Sequence, residues 1–333
     1  MINNFSGNEK DLLNPLSVII ITWNSSALIK KTLCALKSQT YPIHEVIIVD
    51  NDSRDSFALD SEKSCRNVKV ARLNKNIGFA AANNYAIGLV SEKCKWIALV
   101  NPDAFPEPAF LESLMDAARR HPEYAFFGSR LMKANEPSYY DGTGDIYHIS
   151  GLVWRENHGN AADESTLKMK EIFSPCAAAA LYRKDVFVEV NGFDEDFFCY
   201  MEDMDLGFRL RLLGYRCSYV PESVAHHIGS ATTGKHSDFS IYHGHRNLVW
   251  TYVKNMPGAL FWILLPIHLA LNFFSIIYFI FKGQGGIILR AKWDAVRGIS
   301  KMWRKRRQIQ KNRRVSILDI WRSLDRRIVR MRF

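Results

Sequence analysis

The 333-residue chain has 44 Lys+Arg against 34 Asp+Glu, a net charge of +10, with 47% hydrophobic and 23% charged residues. This composition excludes a disordered or fibrous chain, and the length accommodates one large domain with appendages or two modest ones. The charge is uneven: residues 282–332 hold 17 basic and 3 acidic residues, a local +14, which leaves −4 for residues 1–281 and describes a slightly acidic body with a strongly basic tail.

Residues 1–14 are polar and lack the apolar core of a signal peptide, so the body is expected to stay in the cytoplasm. The apolar, β-branched run 16–21 predicts a strand. The loop Thr22-Trp23-Asn24-Ser25-Ser26 follows, and then a helix over 27–39 with Leu28, Leu33 and Leu36 at helical spacing. Three more strand runs each end in a polar cluster: 46–49 in Asp50-Asn51-Asp52-Ser53, 68–73 in Asn74-Lys75-Asn76-Ile77-Gly78, and 96–100 in Asn101-Pro102-Asp103. A small-residue helix starts at Phe79. Strands apolar on both faces and separated by helices predict a parallel sheet covered on both sides, with ligands at the carboxyl ends of the strands. A helix over 108–120 and a strand over 124–131 extend the layer. The turn-rich segment 137–166 precedes a second half that carries Cys176–Leu181, an acidic cluster at 194–205, and Val224-Ala225-His226-His227.

Residues 259–281 carry no formal charge. As a helix they would span roughly 35 Å, enough for a hydrocarbon core of about 30 Å. Pro266, His268 and Asn272 weaken a spanning assignment, and a single crossing would export the basic tail against the positive-inside tendency. The expectation is an in-plane or re-entrant helix at the cytoplasmic membrane face, with a buried core helix as the alternative. The six cysteines (Cys34, Cys65, Cys94, Cys176, Cys199, Cys217) form no C-x-x-C pair and no zinc-type spacing, which reads as reduced intracellular thiols.

Gly229 to Lys235 fits G-x-x-x-x-G-K, but His236 stands where a magnesium-binding hydroxyl would be, and the motif comes late in the chain; it is read as coincidence. No G-x-G-x-x-G follows the first strand, which argues against a dinucleotide oxidoreductase. A carboxylate at a strand end, such as Asp103, can hold a divalent cation that neutralises a diphosphate leaving group. Thr22, Asn24, Asp50, Asn51, Asn76 and Gly78 would meet Asp103 at one rim of the sheet as a polar pocket for a nucleoside and its phosphates. Asp203 lies three residues before Leu206 on one helical face. A carboxylate at a helix start, aimed inward, suits a general base, while its neighbour Glu202 falls on another face and Asp205 pairs more simply with Arg209.

These stretches, SVIIITWNSS (17–26), EVIIVDNDS (45–53), NKNIGFAAANNYAI (74–87), WIALVNPDAF (96–105), NGFDEDFFCYMEDMDLGFRLRLLGY (191–215) and VAHHIGS (224–230), resemble the inverting family 2 glycosyltransferases of GT-A fold, particularly their rhamnosyltransferase-like members. The resemblance implies an α/β Rossmann-like, mostly parallel sheet with flanking helices over 15–250, divided near 130 into a nucleotide-sugar half and an acceptor half. A membrane-associating apolar helix and basic helical tail would occupy 251–333. It implies that Thr22, Asn24, Asp50 and Asn51 hold the base and ribose, and that Asn76, Gly78 and Asn83 line the donor site. Asn101-Pro102-Asp103 replaces the D-x-D metal motif and leaves Asp103 as the ligand for Mg²⁺ or Mn²⁺, with His226 or His227 approaching the metal. Within the catalytic pair Glu202-Asp203 the base corresponds to Asp203. Q-x-x-R-W is absent, and Tyr242 to Asn247 resembles the acceptor-side segment of single-addition enzymes. The implied reaction moves a sugar, best L-rhamnose from dTDP-rhamnose, to a lipid-linked glycan of a bacterial surface polysaccharide. Galactosyl or N-acetylglucosaminyl transfer is the alternative, and a membrane- or nucleic-acid-binding module the rival class; coupling of the basic tail to an apolar stretch favours lipid over nucleic acid.

Overall fold

Runs of Val and Ile that are apolar on both faces form strands only where both faces can be covered, and the centre of the sheet is built from them. The computed structural model describes residues 14–55, 67–229 and 237–327; most of the G-x-x-x-x-G-K stretch and the ends of the chain lie outside the described residues. β1 (Leu16–Thr22) leads through α1 (Ser26–Lys37) to β2 (Glu45–Asp50), and β3 (Val68–Arg72) through α2 (Gly78–Gly88) to β4 (Trp96–Val100). β1 pairs in parallel with β2 and β4, and β2 with β3. Ile29, Leu33 and Leu36 of α1 cover one face against Val18, Ile20, Val46 and Ile48. The alanines of α2 (Ala80, Ala82, Ala86) cover the other against Ile19, Ile21, Ile47 and Val49.

Beyond β4 come β5 (Ala104–Pro106), α3 (Phe110–Arg120) and β6 (Tyr124–Lys133). The turn-rich segment then forms short strands, β7 (Tyr140–Gly142), β8 (Asp145–Tyr147), β9 (Val153–Arg155) and β10 (Lys170–Ile172), followed by β11 (Ala179–Arg183), α4 (Lys184–Glu189), α5 (Glu202–Leu212) and β12 (Arg216–His227). The main sheet runs β10-β12-β6-β11-β4-β1-β2-β3. β11 is antiparallel to both β4 and β6, so the far half is mixed and the sheet as a whole is mostly parallel, as expected. β11 begins with Ala179 opposite Val100, the last residue of β4, and so enters from the carboxyl end of the parallel strands. This puts Cys176, Ala177 and Ala178 at the ligand-binding rim.

The remaining helices are α6 (Asp238–Asn255), α7 (Gly258–Phe281), α8 (Gly285–Arg297), α9 (Ile299–Asn312) and α10 (Ile317–Ser323). They share one apolar cluster with the second half of the sheet domain: Met204, Phe208 and Leu212 of α5 pack with Trp250, Val253, Phe261, Leu264, Ala295 and Met302. Part of the basic tail pairs with the body, while Lys282, Arg290, Arg297, Arg304 and Arg307 stay exposed. Lys301 and Lys305 pair with Asp196 at 2.6 and 2.7 Å, and Lys305 also with Asp194. Lys292 donates to Asn272 Oδ1 at 2.6 Å, and Arg306 to the carbonyls of Val253 and Met256.

α7 has two unlike faces. His268 is buried, stacks on Tyr252 at 3.9 Å and donates from Nδ1 to Ser150 O at 2.8 Å, and Ser275 is buried beside it along the helix. The polar residues that weakened a spanning assignment thus face protein. Trp262, Ile263, Leu269, Phe273, Phe274 and Phe281 are exposed, Phe281 at 86%, so α7 is not a buried core helix.

Lys254 is 1% exposed and lies 2.5 Å from Asp194 and 2.7 Å from Asp205, whose other oxygen accepts from Arg209 at 2.8 Å. The expected Asp205–Arg209 pair is present but buried, within this network. Lys254→Met removes the cation shared by two buried carboxylates, leaving Asp194 to Lys305 and Asp205 to Arg209, and should cost about 3 kcal/mol in urea unfolding. Burial pushes the Asp194 carboxyl up, but Lys254 and Lys305 outweigh it and hold it well below the usual carboxylate range. Its stabilisation is therefore complete above pH about 4 and lost as pH falls further. Acid unfolding of Lys254→Met should show a weaker pH dependence in that window.

Candidate active site

A cleft of about 970 Å³ opens at the carboxyl ends of β1, β2 and β4. Its donor-side wall is built from hydrogen-bonded loops. Asn51 Oδ1 accepts from Ile77 N at 3.0 Å, and Asn51 Nδ2 donates to Asn76 Oδ1 at 3.0 Å, which also accepts from Gly78 N at 2.9 Å. Gly78 has φ +85°, and a Cβ there would lie 2.6 Å from the Phe198 ring, so only glycine lets that ring close over the loop. Asn51, Asn76, Gly78, Asn101 and Asp103 line the cleft together with Trp23 and Phe79.

Four residues assigned to the donor by resemblance are placed otherwise. Thr22 is buried at the end of β1, and its hydroxyl has no partner. Asn24 and Asp50 are turned to the adjoining loop, accepting from Arg54 N at 2.8 Å and Ser53 N at 3.0 Å. Asn83 is buried and donates back to Phe79 O within α2 at 2.9 Å.

The two histidines separate because β12 pairs with β5 and successive side chains leave opposite faces of a strand. His226 turns outward to Glu107 at 3.0 Å. His227 turns inward, with Nε2 3.4 Å from Asp103 Oδ1 and Nδ1 2.8 Å from Asp141 Oδ2. Burial pulls the His227 imidazole down, but its hydrogen bonds to Asp103 and Asp141 prevail and its pKa is pushed up to about 9. Among the expected pair only His227 faces Asp103.

At the opposite wall the chain enters α5 through three non-glycine residues in the left-handed region, Phe198 (φ 65°), Tyr200 (67°) and Met201 (68°). Such residues persist only where the surroundings hold them. The buried Asn247 amide does so, with Nδ2 at 2.9, 2.9 and 2.8 Å from the carbonyls of Phe197, Cys199 and Tyr200. Arg246 adds bonds to Asp196 O and Phe197 O at 3.1 Å. Asp203 emerges at the helix start, accepting from Met204 N at 2.7 Å and Ala177 N at 3.3 Å. Burial raises its carboxyl above the usual range against the opposing pull of these N–H groups and of Arg155. Glu202 also lines the cleft, with one carboxylate oxygen unpartnered, and is pushed well up by burial and by the Asp203 charge.

Between the two walls stands a cluster that sequence reading missed. Arg155 donates to Asp141 Oδ2 at 2.6 Å, to Cys176 Sγ at 2.7 Å and to Asp145 Oδ1 at 3.4 Å. The ligating atoms of Asp145, Cys176 and Asp203 lie within 4.8 Å of one another, a spacing an ion could bridge, but Asp145 and Cys176 already accept from the guanidinium. Burial raises the Asp145 carboxyl to about 7 in spite of Arg155. These residues sit on β7 to β9 and the start of β11 without a recognisable spacing, and the one signal was the density of polar residues in 137–166. The arrangement puts an oxygen and a nitrogen ligand at one wall and a buried carboxylate at the other, suited to holding a charged phosphate ester beside a group that removes a proton.

The chain is 28% identical over 240 residues to the N-acetylglucosaminyl-diphospho-decaprenol L-rhamnosyltransferase of Mycobacterium tuberculosis, covering 66% of this chain and 78% of that one. Its fold is similar to that of the Pyrobaculum calidifontis mannosyltransferase PcManGT, solved with GDP-Man and Mn²⁺, at a TM-score of 0.53 and 15% identity over 93% of this chain and 86% of that one. S. aureus TarS shares the fold at a TM-score of 0.51 and 19% identity over 77% of this chain, which spans 43% of the length of TarS. The description Glycosyl transferase family 2 matches residues 17–190, more than half of the chain. With its GT-A sheet, its cleft at the strand ends and its rhamnosyltransferase relative, the chain belongs to glycosyl transferase family 2.

Proposed function

We propose that the protein is an inverting, metal-dependent glycosyltransferase that moves L-rhamnose from dTDP-rhamnose to a lipid-linked glycan at the cytoplasmic face of a membrane. The observation that carries this reading is the opposition of Asp203 to the Asp103–His227 pair across one cleft. The M. tuberculosis relative, named for a decaprenol-linked acceptor and rhamnose, supports the choice of sugar and acceptor. Galactosyl or N-acetylglucosaminyl transfer remains the alternative donor chemistry.

Asp203 takes the proton of the acceptor hydroxyl, which attacks the anomeric carbon from the face opposite the diphosphate and inverts it. Its raised pKa makes it a stronger base than an exposed aspartate, and the N–H groups of Ala177 and Met204 hold its orientation. A carboxylate oxygen and an imidazole nitrogen fit Mn²⁺ or Mg²⁺, and the Asp141 bond to Nδ1 leaves His227 Nε2 directed at Asp103. A cation held there neutralises charge on the departing diphosphate. The loop Asn51–Asn76–Gly78 fixes the floor on which the nucleotide lies.

The exposed apolar face of α7, with Trp293 and Val296 of α8 also exposed and Lys282, Arg290, Arg297, Arg304 and Arg307 at the surface nearby in sequence, suits an anionic leaflet and a lipid-anchored acceptor.

Asp203→Asn should keep donor binding in calorimetry and lower kcat by about 100-fold or more, the usual yield of a general base; near wild-type turnover would overturn the assignment. Because the base acts deprotonated and its pKa is raised, kcat should fall on acidification at a pH above the ordinary aspartate value of about 3.9. Asp103→Ala and His227→Ala should sharply raise the Mn²⁺ concentration needed for transfer, whereas His226→Ala should leave it near wild type. Trp262→Glu/Phe273→Glu should reduce binding to phosphatidylglycerol vesicles at least about tenfold, since each buried aromatic contributes about 1.5–3 kcal/mol.

A further inference from the structure

Arg155 stands between the two walls of the cleft and touches the groups that serve each. Its Nη1 donates to Asp141 Oδ2, the same oxygen that meets His227 Nδ1, so one carboxylate lies between the guanidinium and the imidazole facing Asp103. Its Nη2 and Nε reach Cys176 and Asp145, whose ligating atoms lie within 4.8 Å of those of Asp203. A planar fork of donors can serve three acceptors in fixed directions, which an ammonium cannot. The chain also makes room for it: a Cβ on Gly142 would come within 2.1 Å of both Cγ and Cδ of Arg155, and its three nearest neighbours would all be Arg155 atoms.

We propose that Arg155 is a positioning residue for the transfer reaction, holding Asp141 on His227 at the donor end and occupying the space between Asp145, Cys176 and Asp203 at the acceptor end. This rests on the transferase reading above. Its hydrogen bonds go to Asp141, Asp145 and Cys176, and through them it fixes the surroundings of His227 and Asp203.

The test compares full-length wild type, Arg155→Ala, Arg155→Lys, Gly142→Ala and the Gly142→Ala/Arg155→Ala double variant. Turnover of dTDP-rhamnose with a polyprenyl-diphosphate-linked acceptor gives kcat and KM, and electron paramagnetic resonance of Mn²⁺ with dTDP, without acceptor, gives metal affinity. Arg155→Ala should lower kcat and Mn²⁺ affinity each by roughly 10–100-fold with little change in KM, as expected for a group that orients a metal ligand. Arg155→Lys should recover part of both. Gly142→Ala, which displaces the guanidinium, should lower kcat similarly in the wild type and not at all in the Arg155→Ala background. Where Arg155→Ala does not fold, judged by its thermal unfolding midpoint, Arg155→Lys and Gly142→Ala carry the comparison, and wild-type kcat in both overturns the proposal. Unchanged or tighter Mn²⁺ binding without Arg155, or an equal cost of Gly142→Ala in both backgrounds, also overturns it. Absence of wild-type turnover with dTDP-rhamnose, UDP-galactose and UDP-N-acetylglucosamine alike overturns the transferase reading itself; turnover by the wild type with undiminished Arg155→Ala overturns this inference alone.

Discussion

The ammonium of Lys254, enclosed between Asp194 and Asp205, joins the C-terminal helices to α5 and the loop before it. Each of these charges would cost several kcal/mol if left buried without its partner. α6, α5 and the loop that begins at Asp194 therefore hold one another in place. Lys301 and Lys305 of α9 close the same acidic loop from the outside. Two charges of what looks like an appended basic tail are thus counter-charges of the segment leading to Asp203.

That anchoring allows the strained backbone at 198–201. Three left-handed non-glycine residues in four positions cost of order 1–3 kcal/mol each. The Asn247 amide and the Arg246 guanidinium compensate by gathering the carbonyls that such a conformation exposes. The turn aims Glu202 and Asp203 into a cleft at the start of α5, and the Phe198 ring can lie over the donor loop because position 78 lacks a Cβ.

The apolar helix and the cleft are linked through one hairpin. The turn between β8 and β9 meets α7 at the Ser150–His268 hydrogen bond, while Val153, Trp154 and Arg155 at its far end line the cleft. Turning its polar side chains inward leaves α7 with a continuous apolar exterior, which accounts for the presence of His268 and Asn272 in an otherwise apolar run.

The parallel strands, the helices covering them and the polar clusters at the strand ends could be read from residue order, because burial on both faces and helical spacing are properties of short stretches. The convergence of Asn51, Asn76 and Asp103 on one rim followed from topology, while Asp203 was marked by its place at the start of a helix and by resemblance. Other features needed the folded chain. Strand alternation placed His227 rather than His226 toward Asp103, but only pairing of β12 with β5 decided which face was the cleft. The antiparallel pairing of β11 and the meeting of Asp141, Asp145, Cys176 and Arg155 depend on contacts between residues far apart in the chain, whereas Asp50 and Asn83 are turned away from the cleft by bonds to their own neighbours. Charge is the plainest case: its total is a sum over residues, whereas Lys254, Lys305 and Arg306 became structural rather than surface charges because carboxylates and carbonyls from distant segments pack against them.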